Sequence, residues 1–266
     1  MLKFIISAIR LGITFLYGST GEIITEKSGH LNLGIPGVMC VGAVFGCVGE
    51  SWYTGSLASR QQINPFLAVF IPIMCSFIGS ALMGLLYSFL TVTLRANQNV
   101  TGLALTTFGV GLTNFIIARL NEVSYSKASK YFTTLFTGYE KLGVVGKLLL
   151  SYGPMVYLGI IIALVCAYVL TRTRVGLHLR AVGENPATAD AVGINVTAYR
   201  YIATCIGSGI AGLGGLFYIM DYLNGNWEYS IDAMGWLSIA LVIFTVWRPN
   251  ISIIGSFIFG GLYIAY

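Results

Sequence analysis

Apolar residues run along this chain in eight blocks separated by short polar stretches: 4–17, 33–48, 66–94, 100–118, 155–170, 201–220, 236–247 and 251–266. A helix needs about 20 apolar residues to cross a bilayer, so several blocks are too short to cross alone. The pattern predicts an all-α fold, a polytopic integral membrane helical bundle with about eight spanning or re-entrant helices. It predicts a single transmembrane domain over 1–266. The blocks 33–48 and 236–247 are interrupted or bounded by Gly and Pro. Inside a membrane that is tolerated only where protein or a water-filled cavity satisfies the freed backbone groups, so both are expected to be broken or re-entrant helices. The 66–94 block, at 29 residues, is long enough to span with tilt.

Small residues recur every four positions at Gly207, Ala211 and Gly215, and on an adjoining face at Ser208 and Gly212. Such a helix admits close backbone neighbours on two sides. Gly255 to Phe259 and Ser256 to Gly260 begin a similar pattern before the sequence stops inside an apolar block, and a further C-terminal portion is expected beyond it. No small-residue cleavage site ends an apolar core before Glu22, so the N-terminus is read as a retained helix and not a signal peptide.

Composition agrees with the pattern. Hydrophobic residues make up 56% and charged residues 9%, against roughly 25% charged in soluble domains, and the mean hydropathy is +0.80. A multi-pass integral membrane protein follows. The net charge of +5 is dispersed among loops instead of forming a stripe, which points to membrane lipid and away from nucleic acid. The five cysteines, Cys40, Cys47, Cys75, Cys166 and Cys205, all fall in apolar blocks, where a disulfide framework is not expected. His30 and His178 are far apart with no second ligand at a helical spacing, so no metal site is expected. Lys and Arg do not orient the chain. Alternating spans put Lys27, Arg95, Arg172, Arg174, Arg180, Arg200 and Arg248 on one side, and Lys3, Arg60, Arg119, Lys127, Lys130, Lys141 and Lys147 on the other. The acidic stretch 221–232, lacking Lys and Arg, is expected outside.

The longest polar, helix-capable stretch is 176–195. Within it Asn185 can cap a helix that starts at Pro186, since proline at the first helical position loses no needed hydrogen bond. Ala187, Ala189 and Ala191 make that helix slim, and Gly193 can end it. A membrane-lying anchor needs bulky apolar residues on one face, which are missing here; a slim capped helix suits a groove on a partner.

The order Arg180-Ala-Val-Gly183-Glu184-Asn185-Pro186-Ala187, with Ala189 and Gly193-Ile-Asn195, resembles the cytoplasmic coupling loop of ABC import permeases for branched-chain amino acids, simple sugars and nucleosides. The stretches 208–216 and 235–244 with Trp247-Arg-Pro249 share the resemblance, which runs from about Gly21 onward, closest to the sugar and nucleoside branch. Glu26, Ser28, Gly29, Asn32 and Gly34 fit that family's first motif, though Pro36 stands before Gly37 where the family often has an acidic residue. The resemblance implies a permease subunit in a prokaryotic plasma membrane, working by alternating access. It implies a second permease, identical or homologous, a cytoplasmic ABC ATPase and an extracytoplasmic substrate-binding protein. Arg180, Gly183, Glu184, Asn185, Pro186, Ala187, Ala189 and Gly193 would then take up motion from the ATPase. The chain would bind no cofactor, and ATP would be used by the partner.

The residues are consistent with that division. No Gly-x-x-x-x-Gly-Lys-Ser/Thr loop is present, the nearest fragment being Gly143-Val-Val-Gly-Lys147, and no acid pair or nucleophile converges in the apolar blocks. An ion-coupled secondary carrier is the rival, but Arg10 is the only basic residue well inside a block and no inverted repeat is visible. Glu22, Glu26 and Lys27 read either as an ion path or as an interfacial turn whose Glu26 and Lys27 are solvated. Asn99, Thr106 and Thr113 share one face of the fourth block. With Thr107, Asn114 and Asn32 they either line a translocation pathway, offering donors and acceptors to a nucleoside, or bond neighbouring helices.

Overall fold

The computed structural model describes residues 1–56, 63–136 and 143–265. Arg60, Lys141 and Tyr266, which figured in the charge count and the last apolar block, lie outside the described residues. All regular elements among the described residues are helical. In order they are α1 (Leu2–Glu26), α2 (Ile35–Gly55), α3 (Pro65–Ser88), α4 (Gln98–Ile117), α5 (Glu122–Ser126), α6 (Ser129–Thr133), α7 (Gly143–Leu150), α8 (Pro154–Arg172), α9 (Arg174–Glu184), α10 (Pro186–Ala191), α11 (Val196–Phe217), α12 (Ile231–Phe244) and α13 (Pro249–Ala265). α3 and α11 continue as π turns over Phe89–Thr93 and Tyr218–Tyr222.

Local chemistry sets the starts. Asn64 and Asn97 each accept a hydrogen bond from an early backbone N–H of the helix that follows, and Asn195 does so for α11, which satisfies donors a helix leaves open. Pro65 and Pro154 occupy first positions of α3 and α8, where a missing N–H costs nothing. Six helices are long and apolar enough to cross a membrane, while α12 and α13 have 14 and 17 residues. At about 1.5 Å per residue α12 reaches only about 21 Å, so the 236–247 block does not cross on its own. The chain is a polytopic helical membrane protein.

Small residues decide which helices are central. Of the most apolar window of the α11 segment 83% is buried, against 28% for α8. The two small-residue faces of α11 both find backbone. Gly207 and Ala211 meet Gly21 of α1, and Gly215 meets Met39 of α2. Ser208 lies against Gly84 of α3, while Gly212 is wedged between Ser80 of α3 and Gly42 of α2. A Cβ on Gly42 would sit 2.6 Å from the carbonyl carbon of Gly212, so any side chain there forces the helices apart. α13 runs antiparallel to α1, with Ser256 at Gly12, Gly260 near Ala8, and the Ser19 and Ser252 hydroxyls 2.6 Å apart.

The structure differs from the sequence expectation at two boundaries. The first helix is not confined to 4–17 but continues to Glu26; Ser19, Thr20, Glu22 and Thr25 are buried on it, because the polar face of its second half packs on protein instead of lipid. Asp221 does not belong to an exposed acidic loop. It closes the π turn after α11 and is fully buried.

Candidate functional site

Between α1 and α2 the chain turns and re-enters the bundle. Gly34, just before α2, lies against Leu105, two turns into α4. α2 itself runs unbroken over Ile35–Gly55, long and apolar enough to cross, so the broken or re-entrant helix expected over 33–48 is not found, because Pro36 falls in the first turn, where it removes no helical hydrogen bond. Much of the descending backbone is paired: Leu31 N–H donates to the Gln98 side chain at 3.0 Å, Asn32 N–H to Glu22 Oε1 at 2.8 Å, and Gly34 N–H to Asn32 Oδ1 at 2.9 Å. Tyr87 OH donates to Leu31 O at 2.6 Å and Thr106 OH to Leu33 O at 2.9 Å. Glu26 accepts from the Trp247 indole N–H. Val246 and Trp247 take positive φ values of 50° and 52°, a conformation side chains adopt only when the surroundings hold it. The reading of an interfacial turn whose Glu26 and Lys27 are solvated is therefore corrected: both are half-buried, and Glu22 beside them is fully buried.

His30 is 1% exposed, edge-on to the Tyr87 ring, and its Nδ1 has no partner. Burial, with the Arg200 charge second, lowers its imidazole from 6.5 to about 4. As pH falls from about 6.5 to about 4 the unfolded chain takes a proton here that the folded chain refuses, so acid destabilises the fold. Thermal unfolding midpoints of the His30→Gln variant are expected to fall less over that window than those of the parent. Parallel curves would exclude His30 as the source.

The stretch singled out at 176–195 forms two helices. The Thr173 hydroxyl caps α9, and α9 stops at Asn185, whose side chain caps α10 by accepting Thr188 N–H at 3.0 Å. Pro186 is the first residue of α10 and Gly193, at φ +85°, follows it, both as expected. Ala187, Thr188, Ala191 and Val192 are exposed, whereas Ala189 is buried and holds α10 to its own chain. α9 is amphipathic, with Gly176, Leu179 and Val182 inward. Its Gly183 sits on the turn after α1: a Cβ there would be 3.1 Å from Gly29 N. Gly29 has φ +85°, and a Cβ on it would be 3.2 Å from Gly183 Cα. Two glycines thus bring the polar helices onto the segment leading into α2. Arg180 and Glu184 border the same notch with Glu26 and Lys27.

The candidate pathway residues divide. Asn32 and Thr106 hold backbone inside the bundle, and Thr113 is buried. Asn99, Thr107 and Asn114 lie exposed on the outer face of α4 among Val100, Leu103, Phe108 and Phe115. The structure does not gather all five candidates on one surface.

Two buried groups at the opposite end escaped sequence reasoning. Arg10 Nε and Nη2 donate to Asp221 Oδ1 at 3.0 and 2.7 Å, and Nη2 also to Asp221 O at 2.5 Å. Arg10 was visible as an isolated charge, but its partner is 211 residues away. Glu50, on α2, is fully buried and neither carboxylate oxygen has a partner; an acid inside an apolar run was the available signal. Among the described residues no three His, Cys, Asp or Glu side chains gather as metal ligands.

A family model described as branched-chain amino acid transport system / permease component matches residues 4–266. The chain is 31% identical over 263 residues to a putative glucose ABC transporter permease of Haloferax volcanii, covering 96% of this chain and 74% of that one. It is 31% identical to a nucleoside ABC transporter permease of Lactococcus lactis subsp. cremoris, over 92% of this chain and 76% of the relative. A guanosine ABC transporter permease of Bacillus subtilis is 29% identical over 91% of this chain and 74% of its own length. No solved structure matches the chain.

Proposed function

The chain belongs to the branched-chain amino acid transport system / permease component family, and from that premise we propose that it carries nucleosides through the membrane as one subunit of an ATP-driven importer. It is an ABC transporter permease of the sugar and nucleoside type, not itself an enzyme. The nucleoside reading is carried by the 31% identity, along nearly the whole chain, to a nucleoside permease, with the guanosine permease in support. A simple sugar is the second reading, favoured by the equal identity to the putative glucose permease.

The geometry supports a mechanism of alternating access. A cytoplasmic ATPase binds the exposed face of α10 and hydrolyses ATP; this chain holds no cofactor. Motion of α10 and α9 passes through the Gly183–Gly29 contact to the segment 27–34. That segment carries the start of α2, which lies against Thr106 of α4. Polar side chains facing lipid are costly, so the exposed Asn99, Thr107 and Asn114 fit a passage shared with a second permease better than a lipid surface. An extracytoplasmic binding protein delivers solute to the opposite end, where α5 and α6 lie beside the Asp221 region.

Deleting the chain is expected to reduce uptake of labelled purine nucleosides at low concentration while leaving ribose and leucine uptake unchanged. Loss of ribose uptake alone would move the substrate to the sugars. Unchanged uptake of all three, in cells with no compensating carrier, would remove these substrate readings while leaving family membership untouched.

A further inference from the structure

Beside the Gly183–Gly29 contact, a cavity of about 660 Å³ opens between the end of α8 and the turn into α13. Four cations from four parts of the chain line it, Lys27, Arg172, Arg180 and Arg248, together with Tyr168 and Trp247. Glu26 and Glu184 border the adjoining notch with Lys27 and Arg180, but no Asp or Glu lines this cavity beside Arg172 and Arg248, and none of the four cations has an ion-pair partner among the described residues. Gathering like charges at a low-dielectric boundary is unfavourable unless an anion joins them. Arg180 Nε is in addition buried without any hydrogen-bond partner.

The occupant reaches this cavity from the bilayer. α10, the exposed helix assigned to the ATPase, contributes no residue to the lining. The spans α8 and α13 do, and α8 exposes Ile161, Leu164, Val165 and Tyr168 in a stripe that rises at helical spacing to Thr171 and Arg172. An apolar stripe ending in aromatic side chains and guanidinium groups matches a lipid from tail to headgroup.

We propose that this cavity binds the anionic headgroup of a phospholipid whose acyl chains lie along the exposed face of α8. The lipid bridges the end of α8, Arg180 of α9 and the 246–248 turn, and so braces the Lys27 and Arg180 side of the contact through which the polar helices meet α1. The permease reading enters only in naming which leaflet supplies the lipid; the site itself stands on its charges and shape.

The test uses the purified full chain in bilayers of phosphatidylcholine alone or mixed with phosphatidylglycerol, with lipid retained on the protein counted by native mass spectrometry. Phosphatidylglycerol is expected to be retained in preference to phosphatidylcholine. Each charge removed from the cavity should lower that preference about fivefold, so the double variant Arg172→Gln/Arg248→Gln is expected to lose it roughly 25-fold. The double variant Arg95→Gln/Arg174→Gln removes equal charge from the same end but outside the lining, and should retain the lipid. Arg172→Lys/Arg248→Lys should keep most of the preference, and serves if the glutamine variant does not fold. Equal losses from both glutamine variants would reduce the site to general surface attraction. Equal retention of the two lipids, or displacement of phosphatidylglycerol by inorganic phosphate alone, would overturn the proposal.

Discussion

Replacing Arg10 by methionine is expected to destabilise the protein by about 3–5 kcal/mol, the cost of leaving a buried charge without its partner. Asp221 is fully buried, its Oδ2 has no partner even in the intact protein, and Arg10 supplies both hydrogen bonds on Oδ1. Gly153 packs directly against that carboxylate, leaving no room for a long side chain from the start of α8 to take over. The double variant Arg10→Met/Asp221→Leu should recover most of the loss, because a buried pair replaced by apolar residues of similar size is often neutral. Chemical unfolding in micelles of Arg10→Met, Asp221→Leu and the double variant measures this. An Arg10→Met chain as stable as the parent would show that Asp221 does not depend on Arg10. The pair joins α1 to the end of α11, two of the helices that pack most closely in the bundle, so its loss is expected to loosen the whole outer end.

The second large effect is on transport and not on folding. Ala187→Trp should reduce ATP-driven uptake to background while the chain reaches the membrane in normal amount. Ala187 is exposed on α10, whereas Ala189, on the opposite face of the helix, is buried at 2%. A tryptophan at 187 therefore makes α10, without disturbing this chain, too bulky to enter a groove on the partner. Ala187→Ser, close in volume, should transport normally. Full transport by the tryptophan variant would take the ATPase off α10; loss of the protein from the membrane would show instead that residue 187 serves folding.

Much of the site was legible because it is local. Asn185, Pro186 and Gly193 act within one short helix, and capping needs only neighbours in sequence. The spacing of Gly207, Ala211 and Gly215, with Ser208 and Gly212 on the adjoining face, showed that two faces of α11 would meet backbone. What that spacing did not show is which backbone: Gly21 for one face, Gly42 and Ser80 for the other. The fate of Glu22 and Glu26 was misread for a related reason. Polar residues at the edge of an apolar block look solvated, and only the re-entering segment, with Asn32 N–H on Glu22 and the Trp247 indole on Glu26, buries them.

The sequence by itself determined the helical membrane class, the capped polar helix that starts at Pro186, and the close-packing faces of α11. Each of these follows from periodicity or from residues within a few positions of one another. Only the tertiary structure decided that Arg10 pairs with Asp221, that Gly29 meets Gly183, and that Lys27, Arg172, Arg180 and Arg248 surround one cavity. Helical periodicity tells which face of a helix is apolar, small or charged. It carries no information about which other helix will lie against that face, because that is settled by the packing of all the helices at once.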